Sequence, residues 1–201
     1  IDGSLKDDAV VLYVTASNAK TVSYNDIKGL QNIIGESNAK NYTVPLCVRI
    51  IGKVSIDDVD SNSKGWSSSE GLQIKNNKSP ITIEGVGEDA TIWGFGLMAR
   101  NSSYIEYSNL AVMNFMDDGI SLDTGNKYTW VHNMDFFYGS TGGDADQAKG
   151  DGTLDVKGDS MYQTYSYNHF WDSGKASLCG MKSETGPNYI TYHHNWFDHS
   201  D

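Results

Sequence analysis

Residues 127–139 read KYTWVHNMDFFYG, and the same pattern of residue types recurs at three other places in the chain. Each segment begins at or beside a tyrosine, alternates polar and apolar residues, reaches an asparagine and continues into an apolar or aromatic pair. Such alternation is typical of β-strands, so the pattern predicts short strands that recur about every 25 residues. The other three segments are SYIEYSNLAVMNF (103–115), MYQTYSYNHFWDS (161–173) and NYITYHHNWFDHS (188–200).

The spacing of the repeated tyrosines distinguishes between two all-β architectures. Tyr104, Tyr128, Tyr162 and Tyr189 are separated by 24, 34 and 27 residues, and the long interval contains a Gly/Asp-rich loop at 139–150. Antiparallel hairpins would need tight Asn-Gly or Asp-Gly turns at a regular rhythm, which the sequence does not show. We therefore predict a parallel β-helix, in which each turn stacks on the last at about 4.8 Å.

The repeated asparagines predict a ladder of stacked amides. In a parallel β-helix, equivalent side chains lie above one another, and amides at a bend can hydrogen-bond from turn to turn. The alternative is that asparagine simply favours turns. The asparagine follows the tyrosine by five residues in the first two repeats and by six in the last two, so one turn should absorb an extra residue. The predicted ladder consists of Asn109, Asn133, Asn168 and Asn195.

The first 80 residues carry a different pattern. Apolar residues at helical spacing in residues 23–35 predict a short N-terminal helix that ends at Gly35. Residues 45–56 predict a strand, residues 57–71 a polar loop, and another strand begins at Ile81.

Composition and charge limit the class of partner. The chain has 201 residues, with 15 Lys plus Arg against 26 Asp plus Glu, a net charge of -11. We expect no nucleic-acid partner, because phosphate binding requires a basic surface. We also expect no membrane partner, because no apolar run approaches the roughly 20 residues of a membrane helix. Cys47 and Cys179 could form a disulfide, but two buried free thiols are favoured.

Three acids in strand-like surroundings suggest a metal site. The segment DGTLDVKG places Asp151 and Asp155 on the same side of a strand, roughly 13 Å apart if fully extended, unless Gly152 allows a bend. The segment MDDGISLD places Asp118 just before a strand one repeat earlier. If the repeats stack, the three carboxylates share one face, and Ca²⁺ would relieve their repulsion. The alternative is three solvated acids on a very acidic protein.

Three stretches of the chain resemble polysaccharide lyase family 1, the pectate lyases. They are ITIEGVGEDATIWGFGL, DGTLDVKGDSMYQTYSYNHFWDSGKASLCG and NYITYHHNWFDHSD, within residues 81–201. The resemblance implies a right-handed parallel β-helix and a secreted enzyme that cleaves polygalacturonate by β-elimination with Ca²⁺. It also implies that Asp118, Asp151 and Asp155 are calcium ligands and that Lys175 binds a substrate carboxylate. Removing the C5 proton pushes charge into that carboxylate, where calcium and Lys175 would stabilise it.

One departure from the family concerns the catalytic base. In the family it is an arginine shortly after the YHHNWF block, whereas the only arginines here are Arg49 and Arg100, far upstream. The resemblance therefore places no catalytic residue in this chain and predicts an arginine beyond Asp201. Residues 1–201 are expected to form one β-helix domain, the N-terminal part of a longer lyase, with the remaining C-terminal segment as partner.

Two other functions remain open at this point. A pectin lyase acting on methylated pectin would lack the calcium acids, so their presence argues against it. The other alternative is a non-catalytic β-helix that binds glycan or serves a structural role, and the missing arginine favours it.

Several conspicuous side chains are assigned structural roles. We predict that Trp171 and Trp196 stack in the core, the alternative being that they stack on sugars. We predict that Lys157 is exposed, the alternative being that it contacts the polymer. The histidines predicted as ladder, cap or surface residues are His193, His194 and His199.

Overall fold

The computed structural model describes residues 3–140 and 149–200. They form eighteen strands, the helices α1 (Leu30–Ile34) and α2 (Glu36–Ala39), and a 3₁₀ turn at Ile56–Asp58. None of these helices is both long and apolar enough to cross a membrane. The strands are β1 (Val10–Val14), β2 (Ser23–Tyr24), β3 (Ile27–Lys28), β4 (Leu46–Ser55), β5 (Trp66–Ser67), β6 (Gly71–Lys75), β7 (Ile81–Trp93), β8 (Gly96–Arg100), β9 (Ser103–Ser108), β10 (Ala111–Met113), β11 (Ile120–Thr124), β12 (Lys127–His132), β13 (Asp135–Phe137), β14 (Leu154–Val156), β15 (Met161–Ser166), β16 (His169–Trp171), β17 (Ile190–His193) and β18 (Trp196–Asp198).

From β8 onward the chain visits three walls in turn. Strands β8, β9 and β10 form one turn, β11, β12 and β13 the next, and β14, β15 and β16 the one after. The first wall contains β6, β8, β11 and β14, the second β9, β12, β15 and β17, and the third β10, β13, β16 and β18, and every pairing within a wall is parallel. The right-handed parallel β-helix predicted from the sequence is confirmed.

Two long strands begin the second and third walls. Strand β4 pairs in parallel with β7, first through Leu46↔Ile81 and then, beyond a break in register, through Lys53↔Thr91. The second half of β7 continues into the third wall, where Thr91 pairs with Ala111. Strands predicted at 45–56 and from Ile81 are thus confirmed.

The core consists of apolar columns that run through successive turns. Residues facing inward from one wall stack in register, because neighbouring strands pair without offset. Each such column removes its side chains from water, and burying one leucine-sized side chain contributes about 1.5–3 kcal/mol. The inward column of the first wall is Leu72, Leu97, Ile120 and Leu154, and all four are buried.

The four repeated tyrosines stack on the outer surface of the second wall. Ring centroids of Tyr104, Tyr128, Tyr162 and Tyr189 are 5.1 Å apart at each step, with interplanar angles of 14°, 9° and 3°. Their φ angles lie between +54° and +59°, so each has the same left-handed conformation near the start of its strand. The repeat identified in the sequence is therefore the structural repeat. Most of the loop predicted at 139–150 lies outside the described residues.

The predicted ladder of four asparagines is wrong, although its last step, between Asn168 and Asn195, forms. The bend after the second wall has positive φ at Asn109, Asn133, Tyr167 and His194, each five residues after its tyrosine. In the last two turns the asparagine comes one position later, so no turn absorbs an extra residue. Only Asn168 pairs with Asn195, through an amide hydrogen bond of 3.0 Å.

The predicted N-terminal helix is much shorter than expected. Asn25 and Asp26 both adopt positive φ, at 51° and 64°, and connect β2 to β3 in an antiparallel hairpin. Asparagine and aspartate tolerate this conformation, which a two-residue hairpin turn requires. Within the predicted range 23–35, only Leu30–Ile34 is helical, with Gly35 as the C-cap as predicted. The polar loop at 57–71 also contains part of the 3₁₀ turn and the short strand β5.

Other predictions about individual side chains have mixed outcomes. Both cysteines are free thiols, but Cys47 is buried and Cys179 is exposed. Trp171 and Trp196 are 48% and 61% exposed, so the prediction that they stack in the core is wrong. Phe170, one position before Trp171, faces inward instead. His194 and His199 are exposed and His193 is half-buried, as expected.

Candidate metal centre

The acidic cluster lies at the amino-terminal end of the first wall. An acidic residue followed by glycine precedes each of β6, β11 and β14, at Glu70, Asp118 and Asp151. Because β11 pairs in parallel with β14 through Ile120↔Leu154, Asp118 and Asp151 enter the wall on neighbouring turns. The fold therefore brings together acids that are 33 residues apart in sequence.

Three carboxylates meet at this end of the wall. One ligand atom from each of Asp117, Asp118 and Asp151 lies within 4.8 Å of the other two, and Asp118 is buried. Two of these residues were predicted from the sequence. Asp117 was not, although it adjoins Asp118 in the MDDG segment, because a stretch of two acids does not indicate which one faces the neighbouring turn.

Asp155, the third predicted ligand, borders this triplet from the strand side. Its Oδ1 accepts a 3.0 Å hydrogen bond from the backbone N–H of Leu178. Its Oδ2 lies 3.4 Å from Nζ of Lys157, and the same Nζ lies 2.8 Å from Oδ2 of Asp118. Asp155 is thus linked to the triplet through a shared lysine.

Gly152 allows Asp155 to reach back toward Asp151. A Cβ atom at Gly152 would lie 2.2 Å from both carboxylate oxygens of Asp155, closer than non-bonded atoms can approach. The carboxylate of Asp155 therefore occupies the space that a side chain at residue 152 would fill. The carboxylate of Asp155 is thus held beside residue 152, the neighbour of Asp151 in sequence.

Lys157 is held inside the cluster. Its side chain is only 13% exposed, so the prediction of an exposed lysine is wrong. Burial opposes its charge, but Asp118 and Asp155 outweigh burial and raise the pKa of Lys157. Burial, and then the charge of Asp118, raise the pKa of Asp155 despite the nearby ammonium group. The acids of this cluster are therefore incompletely neutralised.

Lys175 reaches the same cluster from the next turn of the helix. The backbone of Lys175 pairs in parallel with Gly152 and accepts a 2.9 Å hydrogen bond from the N–H of Thr153. Its Nζ forms an ion pair with Asp151. The residue for which the family resemblance implies substrate binding thus lies beside a predicted metal ligand.

The donor set fits a divalent cation. Four aspartates, at positions 117, 118, 151 and 155, lie near two lysines, Lys157 and Lys175, so carboxylates outnumber ammonium groups by two in this cluster. Glu70 adds a further acid, whose pKa is raised by burial and by Asp118. Carboxylate oxygens are the ligands that Ca²⁺ prefers, and they can surround it in an irregular geometry.

The sequence contained a signal for the missed residues. The acid–glycine pair occurs at the entrance to three strands of one wall, in EGLQI, DGISL and DGTLD. Reading the three segments as equivalent would have added Glu70 to the candidates. The inward position of Lys157 was missed because the direction of its side chain depends on its ion pair with Asp118, which lies on another turn.

Comparison with known proteins places these features in a family. A family model described as pectate lyase matches residues 14–201. The chain is 27% identical over 170 residues to a pectate trisaccharide-lyase from Bacillus licheniformis, covering 83% of this chain and 46% of that protein. It is 28% identical over 206 residues to pectate lyase C from Dickeya chrysanthemi, covering 92% of this chain and 53% of that protein. The chain thus spans about half the length of the curated relatives it matches.

Solved structures share the fold. Pectate lyase C from Erwinia chrysanthemi, determined with Ca²⁺, superposes with a TM-score of 0.66 at 22% identity and covers 98% of this chain and 57% of that one. A pectate lyase from Bacillus sp. N165 in complex with trigalacturonate gives a TM-score of 0.61 at 22% identity, covering 100% and 60%.

Proposed function

Because the chain belongs to the pectate lyase family, we propose that it is the metal-binding part of a secreted lyase that cleaves polygalacturonate by Ca²⁺-dependent β-elimination. The observation that carries this proposal is the meeting of Asp117, Asp118 and Asp151 beside Asp155. An acidic protein of net charge -11 would otherwise repel a polyanionic substrate.

The proposed ligands of the cation are Asp118, Asp151 and Asp155, with Asp117 added from the geometry. When bound, Ca²⁺ supplies positive charge at the uronate carboxylate, where negative charge develops as the C5 proton leaves. The aspartates hold the cation at the entrance to the first wall. Their backbone is fixed by parallel pairing of β11 with β14.

We propose that Lys175 binds a substrate carboxylate. In the structure its ammonium group pairs with Asp151 and its side chain is 33% exposed, so it can reach both the cluster and solvent. A lysine in this position adds a hydrogen-bonded positive charge at the group whose charge increases in the transition state. Lys157 keeps Asp118 and Asp155 oriented toward each other.

The group that removes the C5 proton is assigned to none of the arginines of this chain. Arg49 pairs with Glu84, and Arg100 pairs with Asp123. Arg49 lies on β4, in the second wall, away from the acidic cluster. The base is expected to be an arginine beyond Asp201.

The test is an assay of product formation by the whole protein. The unsaturated product absorbs in the ultraviolet, so absorbance is followed on polygalacturonate and on highly methylated pectin, with and without EDTA. A chelator-sensitive increase on polygalacturonate supports the proposal. A chelator-insensitive increase on methylated pectin would replace it with a pectin lyase, and binding without product would replace it with a non-catalytic glycan-binding β-helix.

A further inference from the structure

A groove lies on the outer face of the second wall. Its volume is about 520 Å³, within the range of about 300–1,000 Å³ that ligand sites in proteins occupy. Residues 4–6 and the turn before β7 form its sides, and the outer faces of β7, β9 and β12 form its floor. The acidic cluster instead lies at β11 and β14 of the first wall, so the two sites have no residue in common. We call this surface the second-wall groove.

Aromatic side chains cover much of the floor of the second-wall groove. Tyr104 and Tyr128 are 52% and 40% exposed, and Trp130 lies beside them on β12. The ring of Trp130 is held in place, because it stacks on His132 at 3.8 Å and its Nε1 donates a 3.0 Å hydrogen bond to Ser166. Rigid aromatic surface of this kind can pack against the C–H face of a sugar ring with little loss of conformational freedom.

The sides of the groove carry positive charge. Lys6 and Lys78 both line it and are exposed, and neither ammonium group forms an ion pair within the part of the chain that the structure describes. The acid in the lining, Glu106, is held by Nε2 of His132 at 2.9 Å. On a protein of net charge -11, this groove is therefore a local surface that attracts an anion.

We propose that the second-wall groove binds polyuronate without Ca²⁺. Sugar rings pack on Tyr104, Tyr128 and Trp130, and uronate carboxylates pair with Lys6 and Lys78. The choice of polyuronate as the ligand rests on the proposed function. At the acidic cluster a cation must offset the charge of the aspartates before a polyanion can approach, whereas the groove presents ammonium groups to it directly. The groove thus holds the protein on its polymer when the metal centre contains no cation.

The experiment is affinity electrophoresis of the whole protein through gels that contain polygalacturonate and EDTA, so that the metal centre does not contribute. Retardation measured against polymer concentration gives the dissociation constant, and a gel without polymer corrects for the charge of each variant. The wild type should be retarded, and added NaCl should weaken binding because exposed charges are screened. Lys78→Gln should raise the dissociation constant by about tenfold, the effect of losing one hydrogen bond to a charged group. Lys78→Arg keeps the charge and should bind as the wild type does.

The matched control is Lys20→Gln, which removes the same charge from an exposed lysine whose Nζ contacts the carbonyl of Asp57. It should bind polygalacturonate as the wild type does. Tyr128→Ala tests the aromatic floor and should raise the dissociation constant by about fivefold. A measurement without any variant supports the same test: in EDTA, bound polygalacturonate should slow acetylation of Lys6 and Lys78 and leave Lys20 unchanged.

The outcomes separate this inference from the proposed function. If the wild type is not retarded in EDTA, or if Lys78→Gln and Lys20→Gln are retarded equally, the groove is not a uronate site, and the Ca²⁺-dependent assay is unaffected. Equal retardation by neutral galactan would overturn the assignment of an acidic sugar. If the Ca²⁺-dependent assay gives no product but Lys78→Gln loses a retardation that the wild type shows in EDTA, the proposed function fails and the groove stands.

Discussion

Nζ of Lys157 lies 2.8 Å from Oδ2 of Asp118, although 39 residues separate the two in sequence. Asp118 is 1% exposed, and the lysine also contacts Asp155. Each of these charges is stabilised by a partner from another turn, so none would be tolerated alone at this degree of burial. The site is therefore a product of stacking and not of any single segment.

Gly152→Ala should disrupt the proposed metal centre without changing its charge. The new methyl group would lie 2.2 Å from the carboxylate oxygens of Asp155, which must then move. We expect Ca²⁺ affinity to fall by more than about tenfold, because the aspartate can no longer face the triplet. Isothermal titration with Ca²⁺ measures this change.

Gly186→Ala is the matched control for that substitution. A Cβ at Gly186 has no heavy atom within 4 Å, so the variant should bind Ca²⁺ as the wild type does. Equal affinity of Gly152→Ala and the wild type would show that the position of Asp155 does not matter for the cation.

Tyr107→Phe should stabilise the protein. Tyr107 is fully buried, and its hydroxyl has no hydrogen-bond partner among the residues that the structure describes. Removing an unsatisfied buried hydroxyl removes its desolvation cost, so the free energy of unfolding should rise by about 1 kcal/mol. Denaturant unfolding followed by circular dichroism measures the change.

Tyr42→Phe provides the opposite case. The hydroxyl of Tyr42 donates a hydrogen bond to the backbone carbonyl of Ile33, so its removal should lower the free energy of unfolding by about 1 kcal/mol. If both substitutions destabilised equally, the hydroxyl of Tyr107 would have to be satisfied in solution.

Cys47 should make stability fall at alkaline pH. Burial, and then Glu84, raise the pKa of its thiol from 9.0 to about 12. Below pH 9 the thiol is protonated in both the folded and the unfolded state, so it contributes fully to the free energy of unfolding. Between pH 9 and 12 the thiol ionises in the unfolded chain but not in the folded protein, so this contribution is lost as pH rises. The difference in unfolding free energy between the wild type and Cys47→Ala should therefore shrink as pH rises from 8 to 11.

The same comparison contains its own control, because tyrosine ionisation affects both proteins alike. A difference between wild type and Cys47→Ala that stays constant across this range would mean that the native thiol ionises as an unfolded one does.

The sequence was sufficient to predict the β-helix because stacking repeats the environment of each residue type. A tyrosine with a left-handed backbone lies near the start of each of four strands of the second wall, and this recurrence of one residue type at one position is visible as a period in the sequence. The four residues are Tyr104, Tyr128, Tyr162 and Tyr189. The strands that begin the stack at Leu46 and Ile81 were also predicted, because their apolar runs are long.

Other features could not be predicted, since they depend on contacts between turns. Asn168 and Asn195 pair with each other one position later in the bend than Asn109, which lies at the residue with positive φ. The spacing of the asparagines in the sequence does not show which of these two positions each one occupies. Trp171 points outward because its neighbour Phe170 faces the core, a choice that the aromatic pair itself leaves open.

The candidate site was predicted only in part, because stacking determines some of its residues and side-chain directions determine the others. The positions of Asp118 and Asp151 follow from the stacking of β11 on β14. The participation of Asp117 and Lys157 depends on side-chain directions at a turn, which periodicity does not determine.

The most direct test of the proposed metal centre is a Ca²⁺ titration of the wild type, Asp118→Asn and the control Asp7→Asn, in which an exposed acid is neutralised. The account predicts saturable binding by the wild type and by Asp7→Asn, and a loss of affinity of more than about tenfold for Asp118→Asn. Binding by Asp118→Asn that equals the wild type, or a wild type that does not bind Ca²⁺, would contradict it.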